Sequence, residues 1–95
     1  MNKNKTFKCI PVHTTTQRKI CFREAASIIK IAHENNCEAT LISGDKSADT
    51  TSILSVIGMR ILAGSSIVIT AEGNSEKEAI NTVREILKLI NTIEE

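Results

Sequence analysis

Ninety-five residues with 41% hydrophobic content suffice for one compact domain around one core, and leave little room for both a deep substrate cleft and a large cofactor site. A formal net charge of +1 gives no basis for attraction to nucleic acid or membrane across the whole surface, and two phenylalanines with no tryptophan or tyrosine provide no base-stacking platform. The longest apolar runs are too short to span a bilayer, and no apolar signal core follows the basic Met1-Asn2-Lys3-Asn4-Lys5, so cytoplasmic residence is expected.

Residues 1–6 are polar and read as a loose leader to a domain over 7–95. Lys8 to Thr15 alternates, with Ile10, Val12 and Thr14 on one side, as a half-buried strand does. Pro11 donates no ladder hydrogen bond, which places this strand at a sheet edge. Thr16 to Lys19 reads as a polar loop. From Phe22 the period changes: Ala25, Ile28, Ile29 and Ala32 follow the i, i+3, i+4, i+7 rule of a helical core face, and Asn35-Asn36 supplies a stop. Ile31 falls off that face and is either exposed or part of a contact surface.

Cys37 to Ser43 reads as a second strand, Gly44-Asp45 as a hairpin turn and Lys46 to Ala48 as a short return strand. Asp49-Thr50-Thr51-Ser52 is a run of side-chain oxygens ahead of Ile53, Leu54, Val56 and Ile57, which predicts a capped short helix ending near Gly58. Ser66 to Ala71 forms another strand, and Glu72-Gly73-Asn74 a turn. Ser75-Glu76-Lys77-Glu78 is a capping-box sequence opening the clearest helix, whose stripe runs through Ala79, Ile80, Val83, Ile86, Leu87, Ile90 and Ile93. Ile80, Val83, Leu87 and Ile90 are expected to be largely buried. The order βαββαβα predicts an α+β open-faced sandwich, a four-stranded antiparallel sheet with three helices on one face.

Cys9, Cys21 and Cys37 are odd in number, and no pair has the spacing of a zinc knuckle or a redox dithiol. Reduced thiols are the expectation, with no metal and no cofactor. Cys21 and Arg23 stand together where the first helix begins. Unpaired N–H groups and a partial positive charge there suit a phosphate or a thiolate, and the guanidinium fork of Arg23 reinforces both. His13 reads as a surface residue of the first strand, and His33 as a residue of the first helix's last turn, where a cation suits the dipole. Ser52 reads as the cap of the short helix.

The stretch Lys19-Ile20-Cys21-Phe22-Arg23-Glu24-Ala25-Ala26 resembles the Gly-(Leu/Ile)-His-(Ala/Thr)-Arg-Pro-Ala-Ala motif of the HPr family, the histidine-containing phosphocarriers of the bacterial sugar phosphotransferase system. The apolar second position, the arginine and both alanines are kept. Cys21 falls on the phosphorylated histidine, Lys19 on the glycine and Glu24 on the proline. Asp45-Lys46-Ser47-Ala48-Asp49-Thr50-Thr51-Ser52-Ile53-Leu54 is similar to the segment Gly-Lys-x-Val-Asn-x-Lys-Ser-Ile-Met of Gram-positive members, with Ser52 on the regulatory serine and Thr51 in place of its lysine. Gly64 to Gly73 matches the family's final strand and turn.

The resemblance implies the HPr-like fold over nearly the whole chain. It also implies a relay in which enzyme I phosphorylates the acceptor and a permease component receives the phosphoryl group, with the arginine and the helix start binding phosphate. Glu24 adds a negative charge beside that site and Phe22 adds bulk. Ser52 would be the target of an HPr kinase. The short helix and the acceptor loop would form a docking face, to which Ile20, Phe22, Ile31 and Met59 contribute unless they are core. The preferred reading is a family member altered at its acceptor, not an enzyme, that docks with phosphotransferase-system proteins or a transcriptional regulator. A phosphocarrier using Cys21 as acceptor is the alternative. A scaffold domain without phosphorylation is a third.

Overall fold

The computed structural model describes residues 7–8 and 11–91. The leader over 1–6, and Cys9, Ile10 and Ile93, lie outside the described residues. Strand segments β1 (Phe7–Lys8) and β2 (Val12–Thr15) lead to helix α1 (Phe22–Glu34), the hairpin of β3 (Cys37–Ser43) and β4 (Lys46–Asp49), helix α2 (Ile53–Gly58), strand β5 (Ser66–Gly73) and helix α3 (Glu76–Ile90). Both β1 and β2 pair antiparallel with β5, which pairs with β3, which pairs with β4. The segments thus fill four lanes of an antiparallel sheet. Phe7 opposes Gly73, whereas Val12 opposes Ile69. Among the described residues β2 pairs with β5 alone, the edge position that Pro11 predicts.

The turn between β3 and β4 is Gly44-Asp45, with Ser43 opposite Lys46 and Gly44 at φ 63°, a left-handed conformation that glycine adopts without strain. Three helices cover one face of the sheet. The core between them holds Ala25 and Ile28 of α1, Leu41 of β3, Val56 of α2, Ile67 and Ile69 of β5, and Ile86 and Ile90 of α3, each 2% exposed or less. No helix among the described residues is long and apolar enough to cross a membrane.

Several expectations need correction. Glu72 and Gly73 continue β5 rather than turning: Gly73 opposes both Phe7 and Cys37, and a Cβ at Gly73 would collide with the Cys37 sulfur. The glycine is there for close approach between strands. Along α3, Ala79, Val83, Ile86 and Ile90 are buried, but Ile80 is 39% exposed and Leu87 only half-buried. At 100° per residue, Ile80 lies roughly 90° from the centre of the buried stripe. The opposite flank turns inward instead, where Thr82 is wholly buried and its hydroxyl donates to the Glu78 carbonyl at 2.8 Å. Ile29 of α1 is likewise half-buried.

The loop after β2 is not simply polar either. Thr16 is wholly buried, its N–H donating to Ser65 O at 3.0 Å and its hydroxyl to Arg18 O at 2.7 Å. Gln17 N–H donates to Ile90 O at 2.9 Å, and Gly64 N–H to Thr16 O at 2.8 Å. These bonds tie the segment before α1 to the end of α3 and to the loop before β5.

Candidate functional site: the start of helix α1

Ile20 sets the position of the helix start. It is 3% exposed, and its N–H donates to Ile61 O at 3.0 Å, so the chain is anchored one residue before Cys21. Cys21 is the N-cap, with extended backbone at φ −98° and ψ −166°. Sulfur is a weak acceptor, so a thiol alone is a poor cap. Glu24, at the third helical position, supplies the stronger half of a capping box: its Oε1 accepts from the Cys21 N–H at 3.1 Å. The other carboxylate oxygen accepts from Arg18 Nη2 at 2.9 Å.

Glu24 is therefore not a loose charge beside the site but a buried, paired one, 6% exposed. Burial pushes its carboxyl upward, yet hydrogen bonds from its own N–H and that of Cys21, with the charges of Arg18 and Arg23, outweigh this and hold it below the usual carboxylate range. The sequence reading does not single out Arg18. The available signal was the Cys21-to-Glu24 spacing, the same cap-to-third-residue interval that is legible at Ser75 and Glu78.

The thiol of Cys21 and the side chain of Arg23 face solvent. A groove of about 570 Å³ runs from Lys19, Cys21 and Phe22 to Ile57, Arg60 and Leu62. Phe22 is 65% exposed, Leu62 59% and Leu54 76%, so the apolar surface comes from these residues. Ile20 and Met59 belong to the core, and Ile31 is half-buried against it. Four of the residues expected to share one face thus divide, and of them only Phe22 is exposed.

Ser52 caps α2 as expected: its hydroxyl accepts from Ser55 N–H at 3.3 Å. The other oxygens before it have separate tasks. Thr50 Oγ1 accepts from Ala39 N–H at 3.0 Å and Thr50 N–H donates to Ala39 O at 3.0 Å, fastening this segment to β3. Asp49 Oδ1 accepts from the Thr51 N–H at 3.1 Å and from the Thr51 hydroxyl, and these two bonds lower its pKa. His13, opposite Val68 on β2, and His33, in the last turn of α1, are both exposed.

The described cysteines differ in setting. Cys37 is half-buried, and its thiol donates to Asn35 O at 3.3 Å. Burial pushes its pKa up, the Glu78 charge adds to this, and a hydrogen bond with Thr82 opposes it. Exposed Cys21 is accordingly expected to alkylate faster than Cys37 at neutral pH, by on the order of tenfold. Peptide mass spectrometry after brief iodoacetamide treatment reads the order directly; labelling of Cys37 first would contradict this account of the two environments.

Comparison with known proteins identifies the class. The family model PTS-HPr, described as the PTS HPr component phosphorylation site, matches residues 11–88. The chain is 33% identical over 72 residues to phosphocarrier protein HPr of Haemophilus influenzae, covering 76% of this chain and 81% of that protein. It is 31% identical over 65 residues to phosphocarrier protein HPr of Mycoplasma capricolum, covering 68% of this chain and 73% of that protein. Among solved structures, the histidine-containing phosphocarrier protein of a mycoplasma superposes with a TM-score of 0.72 at 23% identity, over 88% of this chain and all of that one. The chain belongs to the HPr phosphocarrier family of the bacterial phosphotransferase system.

Proposed function

We propose that this chain is an HPr-family protein altered at its phospho-acceptor site, which works by docking and regulation rather than by a histidine relay. The observation that carries this reading is the occupant of the α1 start. A thiol stands at the N-cap, and the carboxylate of Glu24 already holds both the Cys21 N–H and Arg18. By the resemblance, Cys21 takes the place of the acceptor histidine and Arg23 that of the phosphate-binding arginine. The partners carried over in the same way are enzyme I, permease components and an HPr kinase, or a transcriptional regulator, in the cytoplasm. Phe22, Leu54 and Leu62 offer the exposed apolar area for such docking.

A second reading has one observation in its favour: the Cys21 sulfur is accessible at a helix start close to a guanidinium-bearing residue. A cysteine phosphocarrier would form an S–P bond as the N–P bond of phosphorylated enzyme I breaks, the imidazole leaving and the thiolate attacking. Incubation of the protein with enzyme I and phosphoenolpyruvate, followed by intact mass, separates the two. No phosphoryl adduct is expected on wild type. Rapid labelling of wild type that disappears in Cys21→Ser establishes the carrier instead.

Regulation at Ser52 is part of the proposal. Phosphate on this residue would place charged acceptors where the hydroxyl now accepts from Ser55 N–H. After treatment with an HPr kinase, phosphopeptide mapping is expected to find the modification at Ser52. Modification of Ser47 or Ser55 with Ser52 untouched rejects the assignment.

A further inference from the structure

We infer that Glu24 is the residue that closes the start of α1 to phosphate, acting as an internal anion in the position an incoming phosphoryl group would need. This rests on the reading of the α1 start as an altered acceptor site, and it is tested without enzyme I, so the two fail separately. The observations are the paired and buried state of the carboxylate and the two groups it holds. Glu24 is 6% exposed, its Oε1 sits 3.1 Å from the Cys21 nitrogen, and its Oε2 sits 2.9 Å from Arg18 Nη2. Arg18 is itself mostly covered, with 15% of its side chain exposed.

A helix start attracts an anion through its unpaired N–H groups and its partial positive charge. Both are finite. A carboxylate fixed on the first of those groups satisfies the donor and neutralises the local potential, and the same carboxylate engages a guanidinium that would otherwise attract phosphate. An arriving phosphate therefore meets an engaged amide, an engaged arginine and a like charge. Glu24 is a specificity-determining residue in this sense. It leaves the Cys21 thiol accessible and weakens the electrostatic support that phosphoryl transfer to it requires. The mechanism differs from simple repulsion, because a carboxylate at the same place pointing to solvent would hold neither the Cys21 N–H nor Arg18 Nη2.

Titration with inorganic phosphate, followed by the amide resonances of Cys21, Phe22 and Arg23, tests the assignment on the whole chain. Wild type is expected to show no saturable shift. Glu24→Ala takes the carboxylate away from the Cys21 N–H and from Arg18 and is expected to give a saturable shift, at least roughly tenfold tighter than any binding detected with wild type. Glu24→Gln keeps an acceptor for the Cys21 N–H but loses the charge, and is expected to fall between them. If the alanine variant loses the α1 fold, the glutamine variant decides by the same criterion. Saturable phosphate binding to wild type at the strength of the variants overturns the inference, as does absence of binding in a folded variant.

Discussion

Replacing Val83 by Asp is expected to abolish the folded state. Val83 is 3% exposed on the face of α3 that includes Ala79, Ile86 and Ile90, and α3 packs on β5, β3 and α1. The substitution removes buried apolar area worth roughly 1.5–3 kcal/mol and leaves an unpaired carboxylate in its place, which together exceed about 4 kcal/mol. A domain of this size has only about 5–15 kcal/mol of net stability in total. Ile80 provides the matched control, because it belongs to the same sequence stripe but is 39% exposed. Ile80→Asp is expected to cost on the order of 1 kcal/mol or less. Thermal unfolding followed by circular dichroism compares the two. A native-like transition for Val83→Asp, or equal damage from both, would mean that the α3 face is wrongly oriented.

The contrast between Val83 and Ile80 also shows what kind of information the sequence carries. Elements whose limits depend on local chemistry are legible: Ser52 and Ser75 accept from the N–H three residues on, Gly44-Asp45 makes the two-residue turn, and β3 runs over Cys37–Ser43, the stretch read as the second strand. Features that depend on distant partners are not. Thr16 looks like a loop residue because its partners, Ser65 and Ile90, are far away in sequence. Met59 looks like docking surface because nothing local reveals that its side chain enters the core. Gly73 reads as a turn because the sulfur it makes room for belongs to another strand. At the candidate site, residue types and helix position were readable from Cys21-Phe22-Arg23, but the direction taken by Glu24 depends on Arg18, in a loop whose path is fixed by buried Thr16 and Ile20. Charge could be counted from sequence; whether it was spent inside the molecule could not.

That distinction sets the expected outcome of placing an imidazole at residue 21. Cys21→His puts the family's acceptor type at the N-cap without changing its neighbours, and transfer from enzyme I is expected to be weak. The capping bond between the Cys21 N–H and Glu24 uses backbone on one side, so it persists when the side chain is exchanged. Arg18 stays engaged by the same carboxylate. The new imidazole would therefore receive phosphate at a helix start already neutralised by an anion, and each ten-fold deficit in rate corresponds to about 1.4 kcal/mol of missing transition-state stabilisation. Adding Glu24→Ala to Cys21→His removes the internal anion, and transfer is expected to rise by on the order of tenfold or more over Cys21→His alone. The measurement is initial phosphoryl incorporation from phosphoenolpyruvate through enzyme I, with acid-labile phosphate as the mark of phosphohistidine. Full relay activity in Cys21→His alone would show that an imidazole at residue 21 suffices for transfer and that Glu24 does not oppose it. Equal, low activity in the single and double variants would place the defect on the docking surface around Phe22 and Lys19 instead.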